Sequence, residues 1–189
     1  SATTIEDIFS SILQVAQALH LNDRGPALAD RERRRLQAVR QRTENLHRPT
    51  VVMLEWTDPL FAMGNWGPEL VDIANGELLL GRKGEYSAAM AADELRDADP
   101  EHLIVAPCGF NLERALLEQS VLERLPWWRD LRSVRNGNLT FADGNRFFNR
   151  SGMTIAQTAE IIAEILHGVH FGAPTEGVHW TRPVALSPA

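Results

Sequence analysis

Few side chains in this chain have the types and spacing that chemistry needs. Cys108 is the single cysteine, held in Pro107-Cys108-Gly109-Phe110 between a strand-like run and a helix start. A thiol at a helix N-terminus can become a nucleophile, so an α/β enzyme using Cys108 is one reading. Its base would have to come from His102 or farther away, and no triad-like spacing is visible. A small residue filling a tight turn is the simpler account. His167-x-x-His170, with His179 beyond, has the spacing of metal ligands. Histidines ending a helix more often serve its dipole and last carbonyls. Asp93/Glu94 and Asp97/Asp99 fall on a polar helix end and read as solvated charge. No P-loop, GxGxxG, HExxH or CxxC pattern occurs. The expectation from these residues is therefore no catalytic residue, no bound metal and no required cofactor.

Composition sets the outer bounds. The 189 residues fit one ordinary domain, or one domain with an appendage, and can bury a real core without a disulfide. The net charge of −6 argues against non-specific nucleic-acid binding. The one basic run, Arg31 to Arg35, is interrupted by Glu32 and reads as a solvated helix face. No apolar stretch approaches the roughly 20 residues of a membrane span, so membrane insertion is not expected. Ser1 to Asp7 is polar and acidic, with no basic stretch before an apolar core, and carries no export signal.

The elements that must position any site alternate between two periods. Thr3-x-x-Glu6 predicts a capping box, and Ile5, Ile8, Ile12, Val15 and Leu19 predict one apolar stripe on the helix that follows. A second helix is predicted over Pro26 to Leu46, with a thin apolar face of Leu28, Leu36, Val39 and Leu46. So polar a helix reads as a strut on a surface or between two bodies. Val51 to Leu54 and His102 to Ala106 are short continuous apolar runs, as in strands covered on both faces. Shorter strands are predicted at Leu78 to Leu80 and at Leu139 to Ala142, the latter after an Asn136-Gly137 turn. Ser87 is predicted to cap a helix running to Asp97, Asn111 to cap another, and Thr154-x-x-Gln157 to open a third. The whole is an α/β fold: a mainly parallel sheet flanked by helices, behind a long N-terminal helical segment. Residues 1–47 form that segment, 48–171 the α/β lobe, and 172–189 an irregular tail.

In such sheets ligands sit beyond the carboxyl ends of the strands. The connections leaving them are Glu55 to Pro68, Pro107 to Asn111 and Asp143 to Gly152. They carry Trp56, Asn65, Trp66, Phe110, Asn145, Phe148, Asn149 and Arg150: ring faces, amides and a cation on one predicted edge. That combination suits a broad, flat ligand decorated with amides.

The series Glu55-Trp56-x-Asp58-Pro59, Gly64-Asn65-Trp66-x-Pro68-Glu69-Leu70, Pro107-Cys108-Gly109-Phe110 and Asp143-Gly144-Asn145-x-Phe147-Phe148-Asn149-Arg150 resembles the cobalamin-binding branch of the helical-backbone substrate-binding proteins of ABC importers. The superfamily also takes ferric siderophores and heme. The similarity runs from about Thr3 to Phe171. It implies two α/β lobes joined by one long helix, with Pro26 to Leu46 as that helix and Arg48 onward as the C-terminal lobe. An N-terminal lobe would precede Ser1. The eight rim residues would bind a corrinoid, with a ferric siderophore or heme as the alternative cargo. The histidine-bearing signature of base-off corrinoid enzymes is missing, so recognition would rest on ring packing and amide hydrogen bonds. A periplasmic or cell-envelope location and an ABC permease partner are also implied. Importing relatives present a glutamate where this chain has Gly64-Asn65-Trp66, with Glu69 further along. Two such lobes could also pair as a homodimer to cover an apolar edge.

Overall fold

The structure, a computed structural model, describes residues 2–183. Helix α1 (Ile5–Ala18) and the 20-residue α2 (Arg24–Thr43) lead into strand β1 (Thr50–Thr57). Then come β2 (Leu60–Ala62), α3 (Gly67–Ile73), β3 (Glu77–Leu78), β4 (Ala88–Ala89), α4 (Ala92–Ala98) and β5 (His102–Val105). Short helices α5 (Leu112–Leu116), α6 (Gln119–Leu122) and α7 (Arg132–Arg135) precede β6 (Leu139–Ala142). A π-turn at Gly144–Phe148, helix α8 (Ile155–His167) and β7 (Trp180–Thr181) follow within the described residues.

The sheet has the order β4-β2-β1-β5-β6-β7, and β3 also pairs with β1. Strands β3, β1, β5 and β6 are parallel, whereas β2, β4 and β7 join antiparallel toward the edges. The mainly parallel sheet flanked by helices is thus present. The apolar runs of β1 and β5 are buried because both faces are covered. One face packs Val51, Met53 and Ile104 against α1, α2, α3 and α8; the other packs Val52, Leu54, Leu103 and Val105 against Leu95, Leu122 and Trp128.

Several sequence expectations need correction. The first capping box lies one residue later: Thr4 Oγ1 accepts the Asp7 N–H, and Asp7 takes the Thr4 N–H in return. The α1 stripe drifts, so Ile5, Ile8 and Phe9 are buried but Val15 and Leu19 stand exposed. Thr154 makes no side-chain cap, and Ser87 caps no helix, because α4 starts at Ala92. Asn111 does cap α5, accepting the Arg114 N–H at 2.9 Å. The span from Glu55 to Pro68 is no continuous loop: β1 runs on to Thr57 and turns at Asp58-Pro59 into β2, whose Leu60 and Ala62 are buried.

Helix α2 is no free strut either. Ala29, Leu36 and Val39 share the core with the sheet, and Glu32 inside the basic run is fully buried. Its carboxylate accepts both Arg35 Nη1 contacts at 3.2 Å, and Arg35 reaches on to Glu160 of α8 at 2.7 Å. At the far end, Arg40 and Arg48 both grip Asp72. The tail is ordered where described: β7 pairs with β6, Trp180 is buried, and Glu164 accepts the N–H groups of Thr175 and Glu176. Residues 184–189 of the expected irregular tail lie outside the described residues.

At the amino end of β5, burial pushes the His102 imidazole down to about 4, and its Nδ1 is buried without a partner. Between pH 6.5 and about 4 the unfolded chain therefore binds the extra proton, so acid favours unfolding. Stability should be full above pH 6.5 and fall by about 2 kcal/mol as pH drops toward 4, the roughly 3 kcal/mol that such a shift carries being reduced by the water that still reaches the part-exposed ring. Burial also lowers His167 and His179, adding to the loss. Urea midpoints across this range should show the fall, and His102→Gln should flatten it.

Candidate ligand-binding rim

The parallel registers of β1, β5 and β6 carry their carboxyl ends to one edge. Trp56 leaves β1 there and its ring meets Phe110 with centroids 5.2 Å apart at 52°. That tilted geometry is favoured by the ring quadrupoles. The Arg114 guanidinium lies over the Phe110 ring, 4.1 Å from its centroid, and is paired with Glu118. The Cys108 N–H donates to the Glu55 carbonyl at 2.9 Å, and the Asn145 N–H to the Phe110 carbonyl at 3.0 Å, so the strand-end connections are sewn together through their backbones.

The third connection owes its shape to close backbone approach. A Cβ on Gly144 would sit 2.6 Å from the Ala106 carbonyl oxygen and closer still to that of Pro107. Asp143 caps the π-turn by accepting the Arg146 N–H at 2.7 Å. Arg150 Nε donates to the Asn145 carbonyl at 2.7 Å and its Nη2 to the Asn145 side-chain oxygen at 2.9 Å. Asn149 gives its amide to the Ala106 carbonyl at 2.8 Å, so that group braces the loop rather than facing outward unspent.

Of the eight rim residues read from sequence, Trp56, Phe110, Asn145 and Arg150 stand together with accessible surface. Phe148 is corrected: it is 1 % exposed and belongs to the core beside Phe147. Two adjacent aromatics both point inward because the wide π-turn does not separate neighbours as a strand would. Trp66 is partly a plug, packed on the core with its indole N–H buried and unpartnered. Asn65 adopts the left-handed conformation (φ 53°) and is pinned by its N–H to the Glu85 carbonyl.

Sequence reasoning missed Glu55 and Ser87. The register of β1 against β2 jumps between Leu54 and Trp56, leaving Glu55 as a bulge residue. Bulges re-aim side chains beside binding sites. Near its carboxyl, Ser87 Oγ accepts the Gly64 N–H at 2.8 Å and the Asn65 side-chain amide at 3.5 Å. Burial pushes the Glu55 carboxyl above the usual range, and the Ser87 hydrogen bond offsets this only in part. A charged residue directly after a four-residue apolar run was the available signal.

Cys108 and His102 do not come together. Cys108 is exposed at the carboxyl end of β5, whereas His102 begins that strand at the opposite edge. Among the described residues no three His, Cys, Asp or Glu side chains converge to hold a metal ion, and His167 is engaged with the Ala74 carbonyl. Glu69 is also committed, accepting the Ile5 N–H at 2.8 Å and the Lys83 ammonium at 2.9 Å. No described helix is long and apolar enough to cross a membrane.

Residues 1–145 match the family model described as periplasmic binding protein, and the chain belongs to that family. Its fold is that of the helical-backbone members. It is similar to an ABC transporter substrate-binding protein from Listeria monocytogenes (TM-score 0.77, 16 % identity, 88 % of this chain and 66 % of that one). A periplasmic heme binding protein from Pseudomonas aeruginosa gives TM-score 0.76 at 16 % identity, covering 98 % of this chain and 67 % of that one. An ABC-type Fe3+-hydroxamate transport system protein from Saccharomonospora viridis gives 0.69 at 21 % identity, covering 92 % and 58 %. The chain thus spans 58 to 67 % of the length of these structures. No curated protein matches.

Proposed function

We propose that this chain is the C-terminal lobe and joining helix of a substrate-binding protein that delivers a ferric chelate, foremost a siderophore, to an ABC importer. The observation that carries the reading is the Trp56–Phe110 pair at the joint carboxyl edge of β1 and β5, where this class of sheet receives ligands. Two of the three similar structures named above carry heme or Fe3+-hydroxamate in their descriptions and none a corrinoid. Iron chelates therefore stand ahead of the corrinoid that the sequence motifs suggested. Heme is the second reading, because Tyr86 stands 67 % exposed beside Ser87 and offers an oxygen of the kind that binds heme iron. Action in the periplasm or cell envelope with an ABC permease goes with this proposal. Since Glu69 is spent internally, permease contact falls to other surface groups.

The test is calorimetric titration with a ferric hydroxamate, hemin and hydroxocobalamin. The ferric hydroxamate should bind saturably, and Trp56→Ala with Phe110→Ala should weaken it about tenfold or more. An unchanged affinity in that double variant would remove the rim from the ligand site. Binding of hydroxocobalamin alone would restore the corrinoid reading, and a Soret shift with hemin alone would favour heme.

A further inference from the structure

We propose that a groove between α1 and α2 binds the hydrocarbon tail of a free fatty acid, whose carboxylate pairs with Arg24. The groove has a volume of about 310 Å³ and shares none of the eight rim residues. Ile8, Ile12, Val15 and Leu19 line it, spaced so that they stack along one side of α1 and its C-cap. These are members of the apolar stripe read from the sequence, and the core uses only its beginning. Ile8 is buried, whereas Val15 and Leu19 are 58 % and 61 % exposed. Leu28 of α2 and Met153, itself 62 % exposed, add to the same lining. The two helices touch beside it, where a Cβ on Gly25 would overlap that of Ala16. An apolar surface this continuous on a folded domain marks a binding site.

Charge decides what kind of guest the groove takes. Its lining includes a single charged residue, Arg24, at the turn between the helices, where the Arg24 N–H donates to the Leu21 carbonyl at 3.0 Å. No carboxylate pairs with the Arg24 guanidinium among the described residues, and Asp30, farther along α2, lies 3.7 Å from Arg33. From Ile8 to Leu19 the groove follows roughly 16 Å of helix, with Arg24 near the Leu19 end. A straight chain of roughly ten carbons suits that length and volume, with its charged end at the arginine. One cation and otherwise apolar walls are what a monoanion with a long apolar body requires. A second copy of the chain is a poorer guest. In a twofold pair built on this groove, the lining would offer neither arginine an acid.

The test is calorimetry on the whole chain with decanoate, kept below the concentration at which it forms micelles. Decanoate should bind saturably and at least tenfold more tightly than hexanoate, because a shorter tail buries less apolar surface. It should also bind at least fivefold more tightly than decanol, which has the tail without the charge. Arg24→Gln should bring decanoate and decanol to within about twofold of each other. Val15→Glu, which sets a carboxylate at an exposed position of the groove, should abolish decanoate binding and leave the thermal melt unchanged. No binding by the wild-type protein overturns the proposal, and so does binding that survives both variants. A protein that ignores monomeric decanoate yet sediments with anionic lipid vesicles overturns it in favour of a membrane surface. A wild-type dimer that Val15→Glu dissociates in analytical ultracentrifugation gives the groove to a second copy instead. Titration of the rim with ferric hydroxamate is independent of all these outcomes.

Discussion

Gly144→Ala should lower stability by about 3 kcal/mol and depress the melting temperature by roughly 10 °C. The added methyl meets backbone, not the yielding end of a side chain: the Ala106 oxygen at 2.6 Å and the Pro107 oxygen closer still. Both carbonyls belong to the connection leaving β5, which is anchored by the Cys108 N–H to Glu55. To make room, the third connection would have to lift away. That movement would break the Asn149 amide bond to Ala106 and the Asn145 N–H bond to Phe110. Chelate binding should therefore fall together with stability. A melt within about 2 °C of wild type would show that the two connections have slack and are not held by close approach.

Arg35→Leu is the second large effect, about 3 kcal/mol by urea unfolding. The cost comes less from the lost attraction than from what remains behind. Glu32 is fully buried, and without Arg35 its one other basic contact among the described residues is Arg31 Nε at 3.3 Å, on a side chain that is mostly exposed. Glu160 loses its partner at the same time. Replacing both members, Glu32→Leu with Arg35→Met, should recover most of the stability, because desolvation of an ion pair offsets much of its attraction. A single variant as stable as wild type would mean that water reaches Glu32.

These cases mark what the sequence made legible. Continuous apolar runs at Val51 to Leu54 and His102 to Ala106 announce strands covered on both faces, and from them follow the sheet and the edge where connections converge. Trp56, Phe110, Asn145 and Arg150 could be placed on that edge because strand direction alone decides it. Phe148 could not, since whether a ring in a turn faces in or out depends on turn width, which no residue period encodes. Glu32 is hidden in a run of arginines for a similar reason: the polar pattern predicts a wet face, and tertiary pairing with Arg35 and Glu160 overrides it. Glu55 escapes because a bulge is a mismatch between two strands and is invisible in either one alone. The shift of the first cap from Thr3 to Thr4 is the smallest miss, a choice between adjacent hydroxyls with equivalent acids three residues on.

The clasp between Arg150 and Asn145 bears on how any guest would be met. With guanidinium and amide already oriented by one another, and Asn149 holding the segment beneath, the edge has given up its conformational freedom during folding. Little disorder is left to surrender on encounter, so selection there works by shape match against a fixed template, and a mismatched visitor finds no wall that will bend around it.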